Sequence, residues 1–389
     1  MDTQMPDPAT APASPPVTIA PVQPDDRKRI REFIDLPFRL YRDAPQWVAP
    51  LRSELRRVLE REHPFFRHSE AQPFLALRDG EVVGRLTVFE NRSFNRAQRR
   101  RSARFYHFEC RNDPQAAAAL FEAAAQWARR RDLVELVGPY GFSTMDGGGV
   151  LIEGFTERAS MTMMHYHHPY YRGLLESWGF EKERDFYTAL LERKTFQLPD
   201  KIRRVAESAL KRGRFSVPSF RTKRELLALA GRIGEIYNRS FVGHDDFSPL
   251  SEGEIRSLAR NLLRVSKPSL IKLLTYQGAL AGFLLSFPDL SGALQRARGR
   301  LRPWNLLDLA TEWRRTDLLI VNGAGILPEY QKLGGNALLY YELYRTVMQS
   351  GYQRAEMVQI ADTTTLMLSD METLGGRIHK VHRIYRRSL

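Results

Sequence analysis

Apolar and polar positions follow the same order twice along the chain. Residues 74–89 form two apolar runs around Asp79-Gly80, a residue pair that favours a two-residue β-hairpin turn. Residues 270–290 form two apolar runs around Gln277-Gly278, and Lys272, Pro288 and Asp289 interrupt them. These interruptions indicate a strand pair rather than a membrane-spanning helix. The pattern therefore predicts one hairpin in each half of the chain.

Each predicted hairpin is followed by strand, helix, strand, helix and strand. In the first half these elements are predicted at residues 105–110, 114–131, 133–137, 169–178 and 185–191. In the second half they are predicted at residues 318–327, 337–349, 355–360, 364–374 and 378–385. In the first helix listed for each half, apolar residues spaced i, i+3, i+4 and i+7 form one buried face. The repeated order predicts an α+β fold built from two copies of one unit in tandem.

The composition of the chain suggests where these units begin and end. Residues 1–24 contain seven prolines and no lysine or arginine, which predicts a disordered tail. The two units are then expected at residues 25–193 and 221–389. Between them, residues 194–220 contain a basic, helix-like stretch flanked by Pro199 and Pro218, which we interpret as a linker.

The net charge indicates an anionic partner. The chain of 389 residues has 59 lysines and arginines against 45 aspartates and glutamates, a formal net charge of +14. Nucleic acid, an anionic membrane leaflet and a phosphorylated cofactor all fit this sign. A hydrophobic fraction of 43% and a charged fraction of 27% are globular values and exclude a wholly disordered or collagen-like chain. A single cysteine, Cys110, cannot form an internal disulfide and is typical of a cytoplasmic protein.

One segment of the second half is suited to anion binding. The strand predicted at residues 318–327 is followed by Pro328-Glu329-Tyr330, and Gln331-Lys332-Leu333-Gly334-Gly335-Asn336 then opens a helix. Glycines allow several backbone N–H groups to point into one concavity, and the helix N-terminus adds a partial positive charge. A diphosphate can be held there without a metal. A tight turn that uses glycine only for its geometry is the alternative.

This segment resembles the GNAT acyltransferase superfamily. The superfamily pattern of Gln or Arg, two residues, Gly, one residue, and Gly or Ala corresponds to Gln331, Gly334 and Asn336. The resemblance covers residues 270–389 well, and the order of elements extends it to residues 30–192. It implies that acyl-CoA is the donor, with its pyrophosphate on the loop amides and its pantetheine beside the preceding strand. The cofactor-binding residues it implies are Ile326, Leu327, Gln331, Leu333, Gly334, Gly335, Asn336 and Ala337.

Two positions depart from the superfamily pattern. Asn336 replaces a small residue, and we expect it to be tolerated as a helix N-cap. Met371 stands where the last helix usually carries the tyrosine that protonates the leaving thiolate, so either another group supplies that proton or CoA leaves as the thiolate. Because this tyrosine is missing, a non-catalytic acyl-CoA-binding protein at a membrane is one alternative function.

The first half is predicted to shape the acceptor pocket instead of binding CoA. Only Arg111-Asn112-Asp113 separates its strand from its helix, without glycine. It carries two unusual segments, residues 138–149 and residues 163–171. These segments resemble a bacterial group of tandem GNAT proteins with large or lipidic amine acceptors, which includes bacterial ceramide synthases. The resemblance implies an acyl-CoA-dependent N-acyltransferase, with a sphingoid-type amine as one acceptor class. Aminoacyl transfer from tRNA is a further alternative.

Acylation of an amine requires a base, and three residues are candidates. Glu109 lies on a strand among aromatic residues that would raise its pKa, although an ion pair with a nearby arginine would explain it equally. Asp146 lies in the glycine-rich segment, where a turn-stabilising role is the alternative. His165 is the third candidate, with His167 as a substitute. Because these histidines lack cysteine or regular helical spacing, no metal site is predicted.

A cluster of arginines precedes the first-half strand, at residues 92, 96, 99, 100, 101 and 104. A solvated surface is the simplest interpretation. Contact with anionic lipid is the functional alternative, since no RNA-binding motif with interleaved aromatic residues is present. We therefore expect a cytoplasmic protein that associates peripherally with the inner membrane, and no nucleic acid partner.

Overall fold

The computed structural model describes residues 15–143, 146–245 and 247–389, and its strands join into one mixed sheet. The strands are β1 (Val17–Pro21), β2 (Glu70–Arg78), β3 (Glu81–Glu90), β4 (Ser102–Cys110), β5 (Glu135–Gly138), β6 (Val150–Glu153), β7 (Glu181–Glu192), β8 (Phe215–Ser216), β9 (Lys272–Tyr276), β10 (Ala279–Pro288), β11 (Leu318–Ile326), β12 (Arg354–Ala361) and β13 (Arg377–Ser388). The helices are α1 (Arg27–Leu40), α2 (Arg52–Leu59), α3 (Arg92–Gln98), α4 (Pro114–Arg129), α5 (Tyr171–Glu176), α6 (Asp200–Lys211), α7 (Lys223–Ala228), α8 (Ala230–Ser240), α9 (Glu252–Val265), α10 (Ser291–Ala297), α11 (Pro303–Arg315), α12 (Gly335–Met348) and α13 (Thr365–Thr373).

The predicted tandem α+β architecture is confirmed. Strands β2 and β3 form the first hairpin, and strands β9 and β10 form the second. At both turns the two central residues have left-handed backbone angles: φ is 50° at Asp79 and 76° at Gly80, and 49° at Gln277 and 84° at Gly278. This geometry matches the right-handed twist of the flanking strands. All ten predicted strands and helices that follow the hairpins are present, with bounds shifted by a few residues.

Each half contains one pair of parallel strands that separate after a few residues. The ladder between β4 and β5 covers Ser102 to Arg104, and the ladder between β11 and β12 covers Leu318 to Val321. Beyond these points β4 and β11 continue without that partner, so a cleft opens between the strands in each half. The second cleft lies next to the segment that leads into α12.

The two halves exchange their last strands. Strand β7 ends the first half, but it pairs with β12 of the second half and with β13. Strand β13 ends the second half and pairs with β5 of the first half. Each exchanged strand covers a sheet edge that the other half would leave exposed. The boundary predicted at residue 193 therefore does not separate two independent sheets.

Residues 194–220, predicted as a linker, are built into the second half. Ile202, Ala206 and Ala209 of α6 are buried, and this helix packs on α12. Strand β8 continues the sheet beside β9. The predicted helix-like character is present, but the apolar spacing of four and three residues gives this helix a buried face, so the stretch packs as part of the second half and does not act as a linker.

Part of the predicted disordered tail, residues 1–24, is ordered. Strand β1 pairs antiparallel with β2 from Val17 to Pro21, and Ala20 is buried. The consecutive β-branched residues Val17, Thr18 and Ile19 support a strand here, and an edge strand tolerates the proline at its end. Residues 1–14 lie outside the described residues.

Several helices were not predicted. Helices α1 and α2 precede the first hairpin, α7, α8 and α9 precede the second hairpin, and α10 and α11 lie between β10 and β11. Helix α1 buries Ile30, Phe33 and Ile34 against the sheet side that carries Leu75 and Val82. These helices are additions to the two repeated units.

Candidate functional site

The segment before α12 presents a row of unpaired backbone donors. The N–H groups of residues 332–337 form no hydrogen bond to a carbonyl or side chain within the described part of the chain. The next donor, the Leu338 N–H, is bonded to the Gly334 carbonyl at 3.1 Å. Helix α12 has 14 residues, so the partial positive charge of its N-terminus adds to these donors. The arrangement can hold an anion of the size of a diphosphate.

Gly334 and Gly335 are required for different reasons. Gly334 has φ of 97°, and a Cβ there would lie 3.1 Å from Cγ1 of Val205 on α6. At Gly335 a Cβ would lie 2.6 Å from Cδ2 of Leu274 on β9. Both the turn interpretation and the anion interpretation are therefore consistent with these glycines. A helix start by itself leaves its first four N–H groups unpaired, here those of residues 334–337, so the further unpaired N–H groups of residues 332 and 333 are what favours the anion interpretation.

The other predicted cofactor residues occupy varied positions. Ile326 and Leu327 are buried at the end of β11, whereas Leu333 is 42% exposed. The Gln331 side chain donates from Nε2 to the Ile326 carbonyl at 3.0 Å, so it ties the loop to the strand. Asn336 and Ala337 are half-buried in the first turn of α12. The expected N-cap at Asn336 was wrong, because Gly334 occupies that position with its left-handed backbone.

The Met371 side chain cannot donate a proton, but the hydroxyl of Tyr340 is hydrogen-bonded to the neighbouring residue, Asp370. Met371 is buried, and its Cγ lies against Gly376. Tyr340 of α12 donates its hydroxyl to Oδ2 of Asp370 at 3.1 Å. Burial, with the Asp370 charge, raises the pKa of Tyr340, so the hydroxyl stays protonated. The sequence did not single out Tyr340 as an acid, because the family pattern places the acid on the last helix, α13.

An apolar cavity lies beneath α12, at the opposite end of the strands from the loop. Its volume is about 90 Å³. Leu319 on β11, Met357 on β12 and Leu343 on α12 are among its lining residues, and Phe196 lies near its opening. Because α12 lines this cavity and begins at the loop, the cavity and the anion site lie on the sheet face that α12 covers.

In the first half, Glu109 is buried between two tyrosines. Tyr41 donates its hydroxyl to Oε2 of Glu109 at 2.5 Å, and Tyr171 donates to the same oxygen at 2.6 Å. Burial raises the pKa of Glu109, and the nearby Arg85 charge and the two tyrosine hydrogen bonds oppose that rise. Arg85 instead donates to the Phe33 carbonyl at 2.7 Å. The environment is therefore that of a buried, hydrogen-bonded carboxyl group and not of a direct ion pair.

Asp146 and His165 meet at Tyr106. The Tyr106 hydroxyl lies 3.0 Å from the Asp146 carbonyl oxygen and 2.9 Å from Nε2 of His165. The Asp146 carboxylate accepts hydrogen bonds from the Ser143 N–H at 2.8 Å and from its hydroxyl at 3.1 Å. This side chain therefore stabilises its own turn. Burial and the Arg85 charge lower the pKa of His165 to about 4, which leaves its imidazole neutral near pH 7.

The neighbouring histidines have separate protein partners. His167 accepts from the Leu151 N–H at Nδ1, and His168 contacts the Leu40 carbonyl at 3.1 Å. His382 of β13 contacts the His165 carbonyl at 2.9 Å. Across residues 15–143, 146–245 and 247–389, no three histidine, cysteine, aspartate or glutamate side chains are arranged to hold a metal ion.

Residues 158–168 connect the second cleft with the buried polar residues Glu109, Tyr106 and Asp146 of the first half. We call these three residues, together with His165, the first-half cluster. Nδ2 of Asn322, one residue beyond the parallel ladder on β11, lies 3.7 Å from the sulfur of Met163. His165 follows Met163 by two residues, which limits their Cα separation to about 7 Å. The same loop is held by a buried Ser160–Lys380 contact of 2.7 Å. The structure thus places His165 close to the second cleft, a relation that the sequence did not predict.

The arginine cluster does not form one free basic surface. Arg92 pairs with Glu70 and Glu90, and Arg100 pairs with Glu135 and Glu183. Arg104 is buried, with its guanidinium 3.5 Å from the centre of the Phe94 ring. Arg96, Arg99 and Arg101 remain exposed. Cys110 is buried as well, and burial raises the pKa of its thiol.

Comparison with known proteins places the fold. No protein-family model matches the chain. It is 28% identical over 379 residues to the bacterial ceramide synthase of Caulobacter vibrioides. The matched region covers 92% of this chain and 95% of that protein. It is 24% identical over 375 residues to the protein YghO of Escherichia coli, which covers 94% of each chain.

Among solved structures, a tandem GNAT protein from the clavulanic acid biosynthesis pathway superposes with a TM-score of 0.54 at 14% identity, covering 96% of this chain and 98% of that one. In the described ranges, no helix combines the length and the apolar character needed to cross a bilayer. The chain therefore has the tandem GNAT fold, and it resembles bacterial ceramide synthase over nearly its whole length.

Proposed function

We propose that the protein is an acyl-CoA-dependent N-acyltransferase, with the donor in the second half and the acceptor amine beside the first-half cluster. The observation that carries this proposal is the row of unpaired N–H groups at residues 332–337 beside the open edge of β11. A CoA diphosphate fits these donors, and the pantetheine would then run along β11 past Ile326. The net charge of +14 favours the same anionic ligand.

The reaction requires one base and one route for the proton. The amine nitrogen attacks the thioester carbonyl carbon, the carbon–sulfur bond breaks, and the amine loses one proton. Glu109 is the first candidate for that proton, because burial raises the pKa of its carboxyl group toward the working range of a base. His165, neutral and close to the second cleft, is the second candidate. Returning the proton to the departing thiolate would compensate for Met371.

We infer that the acceptor is a lipidic amine. The similarity to a protein named bacterial ceramide synthase supports this class, because its name denotes N-acylation of a sphingoid amine. A lipidic acceptor would bring the enzyme to a membrane surface. Peripheral association with an anionic leaflet from the cytoplasmic side is therefore part of the proposal.

Calorimetry with CoA tests the donor site. Gly334→Asp places a carboxylate where the diphosphate would lie, so we expect the affinity to fall at least roughly tenfold. Gly80→Asp is the matched control, because Gly80 also has a left-handed φ of 76° and nothing lies within 4 Å of an added Cβ. Absence of binding to the unmodified protein, or equal loss in both variants, would contradict the proposal.

A non-catalytic acyl-CoA-binding protein is a second candidate, and buried Met371 is the observation that favours it. Thiol release distinguishes the two functions. An enzyme releases CoA when acyl-CoA and a long-chain amine are both present, whereas a sensor binds acyl-CoA without turnover. Binding without release across several acyl lengths and amines would establish the second function.

A further inference from the structure

Helices α10 and α11 form an insertion that exposes a concentrated apolar surface. They lie between β10 and β11, where the first half has only the short α3. Leu301, Trp304, Leu306 and Leu307 are exposed by 43%, 60%, 53% and 72%. We call these four residues the α11 patch. Helix α11 has no fully buried residue: Leu309 and Trp313 pack partly against the core, while Trp304, Leu306 and Leu307 are exposed.

Arginines without ion pairs surround the α11 patch. Arg298, Arg300 and Arg302 are exposed and pair with no acidic residue among the residues that the structure describes. The acidic groups of α11 are already engaged, since Asp308 and Glu312 both bind Arg296. The Arg302 guanidinium lies 5.3 Å from the centre of the Trp304 ring. The surface therefore combines leucines, an interfacial tryptophan and uncompensated positive charge.

This combination fits an anionic bilayer better than a second copy of the chain. Leucine and tryptophan side chains enter the boundary between headgroups and acyl chains, and arginines bind the phosphates above them. Each basic residue near an anionic leaflet strengthens binding. In a two-fold symmetric dimer the same three arginines would face their own copies, and this repulsion would weaken the contact.

The insertion is held against the first-half cleft. Gln295 of α10 donates to the Pro45 carbonyl at 2.7 Å and to the Trp47 carbonyl at 2.9 Å. The segment they belong to follows Tyr41, which binds Glu109. At the start of α10, the Ser291 hydroxyl accepts from the Met161 N–H at 2.8 Å, in the loop that leads to His165. The α11 patch is thus coupled to both sides of the candidate acceptor region.

We propose that the α11 patch docks the protein on an anionic lipid surface. Docking itself does not depend on catalysis. Only the idea that the surface supplies a lipidic acceptor to the first-half cluster rests on the proposed function. This surface replaces the arginines at residues 92–104 as the proposed membrane contact, because Arg92 and Arg100 are paired and Arg104 is buried.

Vesicle flotation tests the proposal on the full chain. We compare phosphatidylcholine vesicles with and without phosphatidylglycerol, at low and high salt. Trp304→Ser with Leu307→Ser should weaken binding to the anionic vesicles at least roughly tenfold. Neutralising all three arginines to glutamine should weaken it roughly 100-fold at low salt. Val242→Ser is the matched control, because Val242 is 68% exposed outside the patch.

The outcomes separate docking from donor binding. Far-UV circular dichroism establishes folding, and CoA calorimetry runs on the same samples. Equal vesicle binding by the patch variants and the control, or equal binding to neutral vesicles, would overturn the proposal. A dimer in light scattering that Trp304→Ser dissociates, without vesicle binding, would also overturn it. Vesicle binding without CoA binding would refute only the proposed function. CoA binding without vesicle binding would refute only docking.

Discussion

At the scale of single residues, Glu109 carries the strongest chemical signal. A carboxyl group in water is a weak base toward an ammonium ion, whereas burial raises its pKa and its basicity. The hydroxyls of Tyr41 and Tyr171 both donate to one oxygen of Glu109, which fixes the orientation of the carboxylate. The second oxygen is left as the acceptor for a substrate proton.

We expect Glu109→Gln to lower turnover about 100-fold or more while CoA affinity stays unchanged. Its effect on stability should depend on pH. An acid whose pKa is raised by folding favours the folded state below its ordinary pKa, and this contribution is lost as the pH rises through the folded pKa. The free energy of unfolding of Glu109→Gln relative to the unmodified protein should therefore increase from acidic to neutral pH. Urea titrations at several pH values measure it, and a pH-independent difference would contradict it.

The pH dependence of the rate distinguishes the two candidate bases. If Glu109 accepts the proton, the rate should rise with pH through the raised pKa of its carboxyl group. If His165 accepts it, the acidic limb should lie near pH 4, where its imidazole becomes protonated. We expect the first profile, and we expect its limb to disappear in Glu109→Gln. An unchanged limb in that variant would assign the step to another group.

At the scale of elements, the loop of residues 158–168 depends on a buried ion pair. Lys380 of β13 binds Glu356 of β12 at 3.0 Å, and its ammonium also contacts Ser160 in the loop. Burial alone would raise the pKa of Glu356, but His379, Lys380 and Ser160 together hold that pKa at about 2. One cluster therefore connects the loop to two strands from the second half.

Lys380→Met should lower the free energy of unfolding by about 3–5 kcal/mol, because it leaves the Glu356 charge buried without its ammonium partner. A carboxyl with a lowered pKa stabilises the fold above its ordinary pKa and loses this effect as the pH falls toward 2. The cost of Lys380→Met should therefore shrink in acid. Arg354→Met is the control, since its pair with Asp317 is about half exposed and should be worth under about 1 kcal/mol. Equal costs for the two variants would refute the role of the cluster.

At the scale of the whole molecule, the exchange of β7 and β13 joins the halves into one folding unit. Separate domains would each complete their own sheet and could unfold independently. Here β13 pairs with both β5 and β7, so loss of either half exposes strand edges in the other.

We therefore expect one cooperative unfolding transition for the full chain. Tryptophan fluorescence and far-UV circular dichroism should give coincident urea curves, and the calorimetric and van't Hoff enthalpies should agree. Residues 1–193 produced alone should fail to give a cooperative transition. Two resolved transitions, or a stable folded fragment, would show that the exchange contributes little.

The amino-acid sequence by itself determined the local features of this protein. Asp79-Gly80 and Gln277-Gly278 defined the two hairpins, because their backbone preferences act within four residues. Helical spacing located α4 and α12, and the glycines at 334 and 335 marked the turn that frees the backbone donors. These signals depend on residues that are close in the chain, so they can be recognised without any knowledge of the fold.

Only the tertiary structure decided the relations between distant segments. Strand β7 is apolar enough to fit either sheet edge, and nothing in its pattern specifies β12 as its partner. Tyr41 and Tyr171 surround Glu109 from separate helical regions, while Asp146 turned out to stabilise its own turn. The exposed leucines of α11 resemble a buried stripe in sequence, since periodicity defines a face but not what covers it. Such contacts arise from packing between elements, which no local pattern encodes.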